Sequence, residues 1–279
     1  MWRGSRDQAE PCPLHSETHG ETGPPLLLLH GFGTTGYTWS RWVPTLSRSH
    51  RVHVVELKGF GDAPKPRDGR YSPLDQASLL QDWIVQNDLR DLTVVGHSLG
   101  GGVALLTALG MQGRARGRIC RLVLLAGIAY PQTLSRYLRV LGTPVLGPLL
   151  LRLLPLRRIL RVAMRRAYHP SHPVSESHVG AYLQPLRGAG GRYALSRSAA
   201  QLMTPESVSL TGRYGEVDLP TLLIWGRNDP VVPLWVGERL AADLPDARLE
   251  ILDECGHMPQ EEAAEESLRH LMRFLEETC

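Results

Sequence analysis

Six short apolar runs alternate with amphipathic stretches along the chain, and this alternation predicts most of its architecture. The runs lie at 25–29, 51–57, 92–95, 121–126, 221–225 and 248–252; each is rich in Leu, Val or Ile and bounded by Gly, Pro or Asp. Apolarity is continuous within most of them, as expected for strands covered on both faces of a parallel sheet. Between and after them, 39–46, 74–87, 100–109, 234–244 and 262–277 read as helices. In the last, Ala264, Leu268, Leu271, Met272 and Leu275 recur at helical spacing. The pattern predicts an α/β class fold, a mostly parallel sheet with helices on both faces.

The alternation stops between Tyr130 and Glu216, where helical pieces punctuated by Pro and Gly replace any clear strand. The clearest piece is 156–167. There Leu156, Ile159, Leu160, Ala163 and Ala167 form one stripe, with Arg157, Arg158, Arg161 and Arg165 opposite. Pro155 suits the first turn of that helix. Residues 130–215 are therefore read as a helical cap folded over the carboxyl edge of the sheet, and 22–129 with 216–279 as the core. The stripe is expected to pack on its own domain. Residues 1–21 are polar and stand outside the core as a segment expected to be short, frayed or disordered.

A chain of 279 residues buries enough surface to fold without disulfides. Cys12, Cys120, Cys255 and Cys279 show no paired spacing, which favours reduced thiols and a cytoplasmic setting. The N-terminus has no apolar core of a signal peptide, and no apolar run reaches the ~18 residues of a membrane span. Net charge is +3 but uneven: no Asp or Glu lies between Leu92 and Ser175, while arginine recurs twelve times from 114 to 166. Such a cluster is first a solvated helix face. Its sharper reading is a weak attraction of the cap to a membrane surface, lipid or anionic substrate. No motif for reading nucleic acid accompanies it. Oligomeric state is not set by any of these features.

Three residues far apart in the chain carry the chemistry. Ser98 stands in Gly96-His97-Ser98-Leu99-Gly100, between a predicted strand and a predicted helix, a turn that lifts one hydroxyl toward a substrate. A hydroxyl is a poor nucleophile at neutral pH and needs a base, and the base needs an orienting group. His257 follows the run 248–252, and Asp229 follows 221–225, so all three sit past the carboxyl ends of parallel strands, where open α/β sheets bind ligands. The order Ser, Asp, His suits a nucleophile elbow. Oxyanion donors are expected from the backbone N–H of Leu99 and of Phe32, with Gly31 and Gly33 allowing close approach. Gly31, His97 and Met258 are expected to border the substrate.

Together His30-Gly31-Phe32-Gly33, Gly59-Phe60-Gly61-Asp62, Gly96-His97-Ser98-Leu99-Gly100-Gly101, Gly226-Arg227-Asn228-Asp229 and Gly256-His257 resemble the α/β-hydrolase superfamily. The likeness is to its lidded serine esterases and C–C bond hydrolases, and it covers 22–129 and 216–279. It implies Ser98 as nucleophile, His257 as base, Asp229 as orienting acid, and Phe32 and Leu99 as oxyanion donors. It also implies a helical cap inserted after the sixth strand, no metal or cofactor, and a small-molecule ester substrate, for which the Leu-rich underside of the cap suggests an apolar acyl or aryl part. C–C bond hydrolysis, acyl transfer or cofactor-free peroxidation by the same triad stay open. So does a non-catalytic ligand receptor on this fold. The chain departs from the family pattern at Glu56 and Lys58, and no N-terminal hairpin is recognisable before the first long strand.

Overall fold

The structure, a computed structural model, describes residues 14–111 and 117–278. Among them seven strands make one sheet: β1 (His15–His19), β2 (Pro25–Leu29), β3 (Arg51–Glu56), β4 (Leu92–His97), β5 (Ile119–Leu125), β6 (Thr221–Gly226) and β7 (Ala247–Leu252). Their order is β1-β3-β2-β4-β5-β6-β7, with β1 antiparallel to β3 and every other pairing parallel. Successive strand side chains point to opposite faces, so each strand feeds two cores. Leu27, Leu29, Val94, Leu122, Leu124, Leu223 and Trp225 face one; Leu26, Leu28, Val95, Val123, Leu125, Leu222 and Ile224 face the other.

Helices α2 (Pro73–Gln86), α3 (Leu99–Met111) and α10 (Leu234–Asp243) close the first core. The short α1 (Val43–Leu46) and the C-terminal α12 (Ala264–Glu277) close the second. A capping box of Ser72 and Asp75 starts α2. Between β5 and β6 the chain builds α4 (Arg136–Leu141), α5 (Leu146–Leu153), α6 (Leu156–Ala167), α7 (Glu176–Leu183), α8 (Ala189–Gln201) and α9 (Pro205–Ser209), and no strand. A last short helix, α11 (Pro259–Glu262), precedes α12.

Two expectations are corrected. Residues 15–19 of the N-terminal segment are not frayed: His15-Ser16-Glu17-Thr18-His19 pairs residue by residue with Glu56 back to Val52. These side chains are largely exposed, so no apolar signal marks the strand; the unpaired backbone edge of β3 recruits it. One strand therefore precedes β2 among the described residues, and the helical insertion follows the fifth described strand where the sixth was expected. Residues 1–13, Cys12 among them, and Arg114, Arg116 and Cys279 lie outside the described residues. Cys120 and Cys255 are both free thiols. No described helix is long and apolar enough to cross a membrane.

Candidate active site

The sheet brings Ser98, His257 and Asp229 into one hydrogen-bonded chain. Ser98 Oγ lies 2.9 Å from His257 Nε2, and His257 Nδ1 lies 2.8 Å from Asp229 Oδ2. All three are buried. Ser98 turns the chain from β4 into α3 with φ of +52°, a left-handed conformation costly for a side chain and held by its surroundings. Its N–H donates to Leu125 O at 2.9 Å, and its own carbonyl accepts from Ile128 N–H at 3.0 Å and Gly102 N–H at 3.1 Å. The helix also needs Gly100, because a Cβ there would stand 2.5 Å from His30 O and 2.6 Å from Leu29 O. Sequence spacing thus reflects how closely α3 crosses the end of β2.

Asp229 is fixed from its other oxygen. Oδ1 accepts the N–H groups of Val231 at 2.7 Å and Val232 at 2.9 Å, leaving Oδ2 for the imidazole. The loop carrying His257 is held from two sides: its N–H donates to Ala167 O of α6 at 2.8 Å, and its carbonyl accepts from His97 Nε2 at 2.8 Å.

Two backbone N–H groups, those of Leu99 and Phe32, belong to segments that meet at Ser98. Leu99 is the first residue of α3, so its N–H has no partner within the helix. Its side chain points into the sheet core, leaving the amide as its contribution. The turn after β2 is closed by Thr34 N–H on Gly31 O at 3.4 Å, with Phe32 and Gly33 at its centre, so the turn does not consume the Phe32 N–H. A Cβ on Gly31 would lie 2.8 Å from the His97 ring and 3.1 Å from Ser98 Cβ. Gly31 therefore does not line the cavity, contrary to expectation: with no side chain and with His97 against it, it lets the turn pass directly beside Ser98. His30 clamps this turn, its Nδ1 donating to Gly31 O at 2.8 Å while Nε2 accepts Leu57 N–H at 3.1 Å.

His97 lies beside His257, the rings tilted by 52° with centroids 4.9 Å apart. Burial, then the neighbouring His257, holds its imidazole well below the ordinary value of 6.5, and burial likewise lowers His30. Both are therefore neutral in the folded state and protonate more readily once unfolded. Their stabilisation is complete above about pH 6.5 and is lost as pH falls, the slope from His97 approaching about 1.4 kcal/mol per pH unit. Urea unfolding should show this loss between neutral and mildly acidic pH. His97→Asn, which keeps a donor but does not titrate, should flatten the slope; an unchanged slope contradicts the assignment.

Over Ser98 lies a cavity of about 220 Å³. His97, Met258 and Phe32 line it, with Leu141, Leu151, Ile159 and Leu160 from the inserted helices. No Lys, Arg, Asp or Glu is among its described lining residues.

Glu261 and Glu262 were not legible in the sequence as parts of this site. Glu261 is buried and accepts from Thr38 Oγ1 of the core at 2.6 Å and from the hydroxyls of Tyr168 and Tyr182, which also line the cavity. Glu262 accepts N–H groups of Gly256, Met258 and His169. Burial pushes its carboxyl up, against the lowering by those three donors. The two carboxylates fasten the inserted helices to the loop that carries His257. Their signal was weak: two acids after Met258-Pro259-Gln260, where a solvated helix start is the commoner meaning.

A serine, imidazole and carboxylate in this order, with two backbone donors and an apolar cavity, can perform nucleophilic acyl chemistry. Comparison with known proteins agrees. A family model described as alpha/beta hydrolase family matches residues 26–269. The chain is 31% identical over 260 residues to a pimeloyl-acyl-carrier-protein methyl ester esterase of Nitrosomonas europaea, covering 88% of this chain and 93% of that protein. It is 30% identical over 278 residues to a 2-hydroxymuconate semialdehyde hydrolase of Pseudomonas putida, covering 95% and 90%. A solved alpha/beta hydrolase fold protein from Burkholderia ambifaria superposes with a TM-score of 0.79 at 25% identity over 93% of each chain. The chain belongs to the alpha/beta hydrolase family.

Proposed function

We propose that this protein is a serine hydrolase that cleaves carboxylic esters with an apolar acyl or aryl part through an acyl-enzyme intermediate. The observation that carries this reading is the Ser98–His257–Asp229 chain opening onto an uncharged cavity. Ser98 Oγ attacks the ester carbonyl as His257 Nε2 takes its proton. The tetrahedral oxyanion is held by the N–H groups of Phe32 and Leu99. His257 then protonates the departing alcohol, leaving the acyl group on Ser98, and afterwards draws a proton from the water that releases the acid. Asp229 keeps the imidazole oriented throughout.

The similarity to a C–C bond hydrolase favours a second reading, in which the same residues cleave a diketone-like substrate. The cavity lining favours esters with uncharged acyl groups over any substrate with an ionised acyl part. A carboxylate taken into this cavity would lose its water with no cationic side chain to receive it. The test is a panel of p-nitrophenyl esters of rising acyl length beside a carboxylate-terminated acyl ester and a diketone. The expected result is a kcat/KM that rises with apolar length and is at least roughly 100-fold lower for the carboxylated ester, a difference of about 3 kcal/mol. Preference for the diketone, or for the charged ester, contradicts the ester reading.

A further inference from the structure

We propose that the outer face of α5 and α6 docks on an anionic phospholipid bilayer. Of the ten large apolar side chains that stand exposed among the described residues, seven lie between Val140 and Val162. Exposed apolar residues scattered over a surface need no explanation, but a concentration in one segment does. The outer side of α5 carries Val145, Leu146, Leu149 and Leu153, of which Val145 is 79% and Leu153 67% exposed. Its inner side, with Gly147 and Leu151, is buried. These leucines face outward although the same helix already supplies the cavity wall.

Charge surrounds them with one sign. Between Tyr130 and Ser175 there are eight arginines and no Asp, Glu or Lys. On α6, Arg158, Val162, Arg165 and Arg166 share an exposed face at helical spacing. On its flank Arg157 and Arg161 are taken by Glu176 of α7 at 2.6 and 2.8 Å. Among the described residues, Arg152, Arg158, Arg165 and Arg166 have no carboxylate partner. Leucines beside unneutralised arginines suit an interface whose apolar layer lies just beneath a negatively charged one. A second copy of this chain would fit the leucines but would set arginine against arginine, so the charge selects a lipid surface.

The same face adjoins the catalytic cavity. A surface groove of about 310 Å³ runs past Arg158, Val162 and Arg166, and shares Tyr137, Ile159 and Ala163 with the cavity over Ser98. Docking there places the groove against the bilayer, one wall away from the serine.

The test is sedimentation of the full chain with vesicles, read without turnover, so its outcome is independent of the ester hydrolysis proposed above. The chain should pellet with vesicles of phosphatidylcholine and phosphatidylserine at low salt, much less at raised salt, and not with phosphatidylcholine alone. The triple variant R152Q/R158Q/R165Q should lower the partition coefficient by roughly a hundredfold. Leu149→Ser with Leu153→Ser should lower it by at least roughly tenfold. Circular dichroism checks that each variant is folded. Absence of vesicle binding, equal binding to neutral vesicles, or wild-type binding by the folded arginine variant overturns the proposal. So does a dimer in solution that the leucine variant dissociates without any vesicle binding by the wild type.

Discussion

Replacing Ser98 by alanine should lower turnover of an apolar ester by roughly 10⁵–10⁶-fold while leaving the protein folded and its KM within a few-fold of wild type. The split between the two constants follows from where Ser98 sits. Its Oγ makes one side-chain hydrogen bond, to His257 Nε2, and the apolar side chains lining the cavity, which the substitution leaves in place, offer the binding surface. Alanine leaves the bonds from Ser98 N–H to Leu125 O and from Ile128 N–H to the residue 98 carbonyl in place, so the elbow keeps its shape. The positive φ is no worse for alanine than for serine. Steady-state kinetics on p-nitrophenyl butyrate with a melting curve checks this. A variant that hydrolyses the ester at more than a hundredth of the wild-type rate removes Ser98 from the reaction.

The second large effect belongs to Asp229→Asn, with a loss of roughly 10⁴-fold in kcat. An asparagine fits the site, but its two ends are no longer equivalent. The N–H groups of Val231 and Val232 both need an acceptor where Oδ1 stands, so the amide oxygen must occupy that position. The amide NH₂ is then forced against His257 Nδ1, 2.8 Å away, where a carboxylate oxygen stood. A donor there requires Nδ1 to be the bare nitrogen, which places the ring proton on Nε2. Nε2 is the atom that must accept the Ser98 proton, and it is now occupied. The fold should survive, because the three hydrogen-bond positions remain filled. Comparison of kcat and thermal unfolding for wild type and variant decides it; a kcat within tenfold of wild type means that Asp229 does not set the tautomer.

The core was legible because its signals are local. Continuous apolar runs bounded by turn residues mark β2 to β7, and the close approach of α3 to β2 forces glycine at position 100, which is what made the elbow readable. Asp229 and His257 could be read from their places after β6 and β7, since a parallel sheet aligns those ends whatever lies between. β1 was not legible, because its residues are polar and its stability is the backbone pairing of a distant strand. The same holds for Glu261, whose meaning depends on hydroxyls 79 and 93 residues away. The stripe of α6 was visible, but the outward leucines of α5 were not: a run of leucines does not say which of them the fold leaves uncovered.

The central claim, that Ser98 is made nucleophilic by His257 and Asp229, is tested most directly by covalent labelling with a fluorophosphonate followed by peptide mapping. The account predicts one adduct per chain, on Ser98, absent in Ser98→Ala and formed far more slowly in Asp229→Asn. An unlabelled Ser98 in a preparation that still hydrolyses esters, or labelling at equal rate in the Asp229 variant, would contradict it.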